Sequence, residues 1–86
     1  MNSYIIMAVL ISNRTASAKD VQDLFTKYGC NIKMRLGLHE TTNVCAEDGL
    51  VILQLGGDES DIHSLQEGLN SLQGVQTKII SFNSEK

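Results

Sequence analysis

The sequence predicts an α+β domain whose elements follow the order strand, helix, strand, strand, helix, strand. Three patterns support this prediction: uninterrupted apolar runs, stretches with apolar residues at the helical period, and stretches that alternate apolar and polar residues. A chain in this order forms a ferredoxin-like βαββαβ sandwich, a four-stranded antiparallel sheet with two helices on one face. Because 86 residues support one hydrophobic core, residues 1–86 are predicted to be a single domain.

Two apolar runs, at residues 4–11 and 50–55, predict the central strands of the sheet. Both are rich in β-branched side chains and are apolar at nearly every position, which is typical of strands buried on both faces. Residues 32–38 and 75–82 alternate apolar and polar side chains over much of their length, so they predict strands with one apolar face. These amphipathic strands are expected at the two edges of the sheet.

The two helices are predicted from apolar residues spaced by three and four positions. The first stripe contains Val21, Leu24, Phe25 and Tyr28, and the second contains Ile62, Leu65, Leu69 and Leu72. Thr15 or Ser17 is expected to cap the first helix, and Ser60 the second. Gly29 and Gly74 are expected to end the helices in the left-handed conformation.

The charge balance and the cysteine count favour a cytoplasmic protein. Ten acidic and seven basic residues give a net charge of −3, which disfavours nucleic acid or an anionic membrane as a direct partner. The apolar run at residues 4–11 is too short to cross a bilayer, and the first residues lack the basic region of a signal peptide. Cys30 and Cys45 are expected to stay reduced, with Cys30 a small buried spacer before the second strand.

One face of the predicted sheet has no helix to cover it. On that face the first strand presents either Ile5, Met7, Val9 and Ile11 or their neighbours by one, together with half of residues 50–55. Because monomers rarely expose so large an apolar patch, we expect a homo-oligomer, a dimer or a tetramer, formed through this face. The alternative is that the loop at residues 40–49 folds back over the face.

No set of residues typical of an active site is found in the sequence, so an enzyme is not expected, and no cofactor is identified. Asn13 and Arg14 follow the first strand, and Arg35 lies on the polar side of the second strand. Since the first helix returns the chain toward this end of the sheet, these residues are candidates to bind the carboxylate of a small metabolite. The alternative is that the arginines only solubilise the edges or make subunit contacts.

His39 and Cys45 are the best candidate pair of metal ligands. Imidazole nitrogen and thiolate sulfur suit zinc, nickel or copper. A complete site needs three or four ligands, and the remaining histidine, His63, is expected to face solvent on the second helix. A metal-binding or metal-sensing module is therefore the alternative function, and it would need ligands from more than one subunit.

Three segments carry a resemblance to a known family. They are Arg35-Leu36-Gly37 in the second strand, Gly49-Leu50-Val51-Ile52-Leu53-Gln54-Leu55 in the third, and Leu69-x-x-Leu72-x-Gly74-Val75-x-x-Lys78 after the second helix. Over roughly residues 4–81 the chain resembles the iron-only hydrogenase system regulators. The fold of that family is similar to ACT domains and to the regulatory domain of the nickel-responsive repressor.

The resemblance implies a non-enzymatic, oligomeric regulatory module that binds a small effector and is associated with the hydrogenase system. ACT-like domains bind amino acids at subunit interfaces, near the first strand-to-helix loop and the second strand. The residues at the matching elements are Asn13, Arg14, Arg35 and Gly37. The nickel repressor shares the spacing of His39 and Cys45, but it has a further histidine where this chain has a glycine. Without a DNA-binding extension, the module is expected to act through a partner protein.

Overall fold

The computed structural model describes residues 3–12, 14–38 and 49–83. Its elements, in chain order, are β1 (Ser3–Ile11), α1 (Arg14–Lys27), a 3-10 turn (Gly29–Asn31), β2 (Ile32–Leu38), β3 (Gly49–Leu55), α2 (Glu59–Asn70) and β4 (Val75–Asn83). The predicted order of strands and helices is confirmed. Each predicted strand differs from the observed one by no more than one residue at either end.

The four strands form one antiparallel sheet in the order β2-β3-β1-β4. β1 and β3 are therefore central and β2 and β4 are edges, as the apolar runs predicted. The pairing of β1 with β4 runs without interruption from Ser3↔Asn83 to Ile11↔Val75. The pairing of β2 with β3 changes register between Ile32 and Met34. This architecture is the ferredoxin-like βαββαβ fold.

The hydrophobic core lies between the sheet and the two helices. Its buried members are Met7, Val9, Ile11, Val21, Phe25, Leu53, Leu55, Ile62, Leu65, Leu69 and Val75. The strand residues in this set are alternate ones, and the helix residues come from the two predicted stripes. Because successive side chains of a strand point to opposite faces, the intervening residues of β1 and β3 lie on the other face, away from both helices.

The limits of α1 differ from the prediction. The helix begins at Arg14, so Thr15 and Ser17 lie inside it rather than before it. Gly29 is not in the left-handed region, because the chain continues directly from α1 into the 3-10 turn. The Asn31 N–H closes that turn by donating to the Tyr28 carbonyl at 2.9 Å.

The start of α2 also differs from the prediction, whereas the turn after it agrees. Asp58 has extended backbone and precedes the helix, and its carbonyl accepts hydrogen bonds from the N–H groups of Asp61 and Ile62. Ser60 therefore lies within the first turn. Gly74 has φ of +82°, which confirms the left-handed turn predicted between α2 and the last strand.

Gly74 also joins the end of β1 to the start of β4. Its carbonyl accepts a hydrogen bond of 2.7 Å from the Ser12 N–H. A β-carbon built on Gly74 would lie 2.8 Å from the Ser12 carbonyl oxygen, a distance that requires the backbone to move. Glycine is needed here for two reasons, because its φ is positive and because another backbone segment approaches it closely.

Gly74→Ala is expected to lower the free energy of unfolding by about 2 kcal/mol or more, since left-handed backbone alone costs roughly 1–2 kcal/mol. For a domain of this size that corresponds to a fall in melting temperature of roughly 8–16 °C. Thermal unfolding followed by circular dichroism measures it. The matched control is Gly29→Ala, because no heavy atom of the described residues, apart from its neighbours along the chain, lies within 4 Å of the added carbon there. Equal losses in the two variants would contradict the explanation.

Candidate functional site

The predicted site residues that the structure describes lie at one corner of the sheet. Gly37 pairs with Val51, two positions from Gly49, and Gly49 pairs with Ile11 at the end of β1. The carboxyl end of β2 and the start of α1 at Arg14 are therefore at the same end of the sheet. Asn13, the fourth predicted residue, lies outside the described residues.

Arg35 is the best-defined side chain at this corner. It pairs with Leu53, so it lies on the face that carries the helices. Its guanidinium carbon lies 4.8 Å from the ring centroid of Phe25, and its Nη1 donates a hydrogen bond of 3.3 Å to Gln22 Oε1. Although the residue is exposed, α1 orients its planar group by stacking and by this hydrogen bond.

The contacts of Arg35 with Gln22 and Phe25 were not predicted. Gln22 lies beside the apolar stripe of α1, and nothing in its spacing indicates a partner on β2. The sequence did indicate that Arg35 belongs to the polar side of β2. In the structure that polar side faces α1, and the apolar Met34 and Leu36 are exposed on the opposite face. The alternating pattern does not reveal which face of β2 lies under α1. The structure shows this, together with the register change between Ile32 and Met34.

Gly37 leaves an open space beside Arg35. The two residues lie on the same face of β2. Among the described side chains and backbone, apart from the neighbours of Gly37 along the chain, no heavy atom lies within 4 Å of the position that its β-carbon would occupy. A guanidinium has five N–H donors, and within the described part of the chain Gln22 takes one from Arg35. The corner thus combines an oriented cationic donor with room for a small anion.

The candidate metal ligands His39 and Cys45 lie outside the described residues. Within residues 3–12, 14–38 and 49–83 no group of three or more histidine, cysteine, aspartate or glutamate side chains could hold a metal ion. His63 is exposed, as predicted, and its Nε2 lies 3.2 Å from Glu67 Oε2 one turn along α2.

The prediction for Cys30 was wrong. Cys30 is exposed rather than buried, because it lies in the 3-10 turn between α1 and β2. The sequence argument assumed that α1 ends at Gly29 and that the next residue enters the sheet directly. The turn of Gly29–Asn31 instead carries this side chain along the surface before β2 begins.

The helix-free face of the sheet, here called the open face, is strongly apolar. Its exposed large side chains are Tyr4, Met34, Leu36, Ile80 and Phe82. Ile6, Leu10, Leu50 and Ile52 are half-buried on the same face. Leu36 is 51% exposed and Phe82 is 61% exposed, although both lie within regular strands. Residues 40–48 of the loop that was the alternative cover lie outside the described residues.

An open groove of about 530 Å³ runs between α2 and β4 on the helix-covered face. The apolar Ile5, Ile62 and Ile79 line it together with polar residues, among them His63 and Gln66. No sequence pattern predicts the groove, because it arises from the position of α2 over the sheet. It shows that α2 leaves the carboxyl half of β4 uncovered.

No known family matches the sequence, and no curated protein matches it either. Solved structures do match. The ACT domain of the GTP pyrophosphokinase of Chlorobium tepidum is 12% identical with a TM-score of 0.63, covering 98% of this chain and 91% of that domain. The chain has an ACT-like fold.

Two further structures have the same fold. An uncharacterised protein from Thermotoga maritima is 19% identical with a TM-score of 0.82, covering 95% of this chain and 100% of the other. A nitrogen regulatory PII-like protein from Thiomonas intermedia, bound to ADP, AMP and bicarbonate, is 13% identical with a TM-score of 0.60, covering 95% and 97%. Among the described residues of this ACT-like chain, no helix is long and apolar enough to span a membrane.

Proposed function

We propose that this ACT-like chain is a non-enzymatic regulatory module of the cytoplasm that binds a small effector and forms a homo-oligomer through its open face. The proposal is supported by its structural likeness to an ACT domain and to a nitrogen regulatory PII-like protein. The resemblance of Arg35-Leu36-Gly37 and the two other segments to iron-only hydrogenase system regulators supports a role in that system, exerted through a partner protein.

The apolar open face is the observation that carries the proposal. Five large hydrophobic side chains are exposed on one sheet surface of a small domain. Fully burying a leucine or phenylalanine side chain contributes about 1.5–3 kcal/mol. These side chains are already about half covered, so each one covered by a two-fold contact gains roughly half of that amount in each subunit. A second copy is the simplest cover, because the same surface is then used by both subunits.

The corner formed by Arg35 and Gly37, at the same end of the sheet as Arg14 at the start of α1, is the proposed effector site. Asn13, which lies outside the described residues, is proposed to belong to it as well. An oriented guanidinium beside open space suits a carboxylate, which accepts two parallel N–H donors from arginine. Carboxylate-bearing metabolites, amino acids among them, are the proposed effector class. Because this corner lies on the helix-covered side, opposite the open face, an effector bound there would change the surface that this side of the oligomer offers to the partner protein.

Arg35→Gln is expected to weaken binding of a carboxylate effector by about 10- to 150-fold, because a hydrogen bond to a charged group contributes roughly 1.5–3 kcal/mol. The probes are the twenty amino acids, ADP, AMP and bicarbonate, and the measurement is isothermal titration calorimetry. The control is Lys33→Gln, which removes the same charge from the same strand. If no probe binds, or if both variants lose affinity equally, the site assignment fails.

Native mass spectrometry of untagged protein, purified without chelator, tests the proposed oligomer and the proposed ligand in one experiment. It measures the number of subunits and any bound mass together. An oligomer that gains the mass of a carboxylate probe supports the proposal. An oligomer with metal ions in fixed ratio would instead favour a site at His39 and Cys45, and a monomer would contradict association through the open face.

A further inference from the structure

The two edges of the sheet differ in how they are protected against pairing with another strand. The β2 edge has a register irregularity beside Lys33, a second cation at Arg35, and a glycine. Irregularities and charges of this kind are common devices that keep an edge from pairing. β4 has unbroken pairing with β1 along all its nine residues, and Lys78 is its only charged residue. The β4 edge is therefore the less protected one.

The first half of β4 is covered by α2. The Thr77 N–H donates a hydrogen bond of 3.0 Å to Asn70 Oδ1, and the Thr77 hydroxyl donates to the same oxygen at 3.0 Å. Gln66 Nε2 in turn donates to Thr77 Oγ1 at 3.1 Å. Because the Thr77 N–H donates to a side chain of α2 and not to β1, it points toward the outer edge of the sheet.

This hydrogen bond fixes which residues of β4 face outward. In an antiparallel strand the N–H and C=O of one residue point to the same neighbour, and successive residues alternate between the two sides. Ile79 and Ser81 therefore present their backbone groups outward, as Thr77 does. Within the described part of the chain no strand pairs with this side of the sheet. Among the described residues none bonds the outward backbone groups of Ile79 and Ser81, so these groups can pair with a partner.

Large apolar side chains flank these two residues on both faces of the sheet, beside the polar side chains that also line the groove. Ile79 is 36% exposed beside the groove under α2, while Ile80 and Phe82 are 58% and 61% exposed on the open face. A pairing strand would thus cover apolar surface on each side as well as satisfy backbone groups. Such an arrangement suits a partner that is itself an apolar strand.

We infer that β4 docks on β4 of a second copy, in antiparallel register about a two-fold axis through Ile80. In this register Ile79 of each copy forms a hydrogen-bonded pair with Ser81 of the other, so all the available outward groups are used. Lys78 lies opposite Phe82 of the second copy, whereas a register centred on Lys78 would oppose two like charges. A register centred on Ile79 would instead pair Ser81 of one copy with Thr77 of the other. The Thr77 N–H already donates to Asn70, so that hydrogen bond between the copies could not form.

Such an edge contact is independent of the contact proposed through the open face. A two-fold axis perpendicular to the sheet keeps the helices of both copies on one side, giving a continuous eight-stranded sheet. The open faces of the two copies then form one larger surface. Both contacts together would give a tetramer with three two-fold axes.

Disulfide trapping tests the register directly. In a background of Cys30→Ser and Cys45→Ser, Ile80→Cys is expected to form a covalent dimer on mild oxidation, since residues at a non-hydrogen-bonded pair have Cα atoms about 4.5 Å apart. The control is Lys78→Cys, whose two copies would be about 13 Å apart at ~3.3 Å per residue. Non-reducing electrophoresis measures both. Trapping that fails for Ile80→Cys, or is equal in the control, overturns the register.

A second variant separates the edge contact from the open-face contact. Ser81→Pro removes an N–H that is not bonded to β1, so the fold is expected to survive while the edge can no longer pair. Circular dichroism checks the fold and light scattering the mass, which should fall twofold. The trapping experiment is repeated with Leu36→Lys, which charges the open face far from β4. Loss of trapping in that variant would show that the open face, rather than the edge, brings the copies together.

Discussion

Leu36→Lys is expected to split the oligomer that forms through the open face and so to halve the mass of the particle. Leu36 is 51% exposed on that face, and a two-fold contact buries it in both copies. Because each Leu36 is already half covered, losing the two burials costs about 1.5–3 kcal/mol before the cost of desolvating the new ammonium groups, so the dissociation constant should rise at least about tenfold. Size-exclusion chromatography with light scattering at micromolar concentration measures the change.

The isolated subunit should tolerate this substitution, because the side chain it replaces does not belong to the core. Thr26→Lys is the matched control, since it adds the same charge at an exposed position of α1. That variant should keep the wild-type mass. A Leu36→Lys protein with an unchanged mass would mean that the open face is not a subunit contact.

Leu65→Ala is expected to lower the free energy of unfolding by about 2–5 kcal/mol, the range found when a buried leucine is truncated. Leu65 is 0% exposed and belongs to the core cluster between α2 and the sheet. Small domains are stable by about 5–15 kcal/mol, so this single change removes a large part of the total. Urea denaturation measures the loss, and the slope against urea should stay the same.

Ser64→Ala is the control for this variant, because it alters the neighbouring, exposed position of the same helix. We expect a change of less than about 0.5 kcal/mol there. Both variants are best compared in the Leu36→Lys background, where association through the open face does not add to apparent stability. A loss at Leu65 no greater than at Ser64 would mean that α2 is not packed as described.

The sheet order and the core followed from the sequence because they depend on periodicity. A strand that is apolar at every position has to be covered on both sides, which placed residues 4–11 and 50–55 in the centre. The spacing of Ile62, Leu65 and Leu69 likewise left one way for α2 to bury its apolar side. Signals of this kind are repeated over many residues, so no single side chain decides them.

Features that depend on one or two contacts were not predictable in the same way. The position of Cys30 depends on a 3-10 turn in place of a left-handed glycine, a small difference in local backbone energy. The orientation of Arg35 depends on Phe25 and Gln22, which reach it only after α1 packs on the sheet. The hydrogen bonds between Asn70 and Thr77 similarly join two elements whose relative position the sequence pattern does not specify.

The pairing of β1 with β4 bears on how the domain folds. β1 lies in the centre of the sheet, yet one of its two neighbours is the last strand of the domain to be synthesised. Contacts between such distant parts of a chain carry a large loop-closure cost and slow the folding reaction. During synthesis one side of β1 stays unpaired until β4 has left the ribosome. Folding is therefore expected to be a late, cooperative event that involves the whole domain.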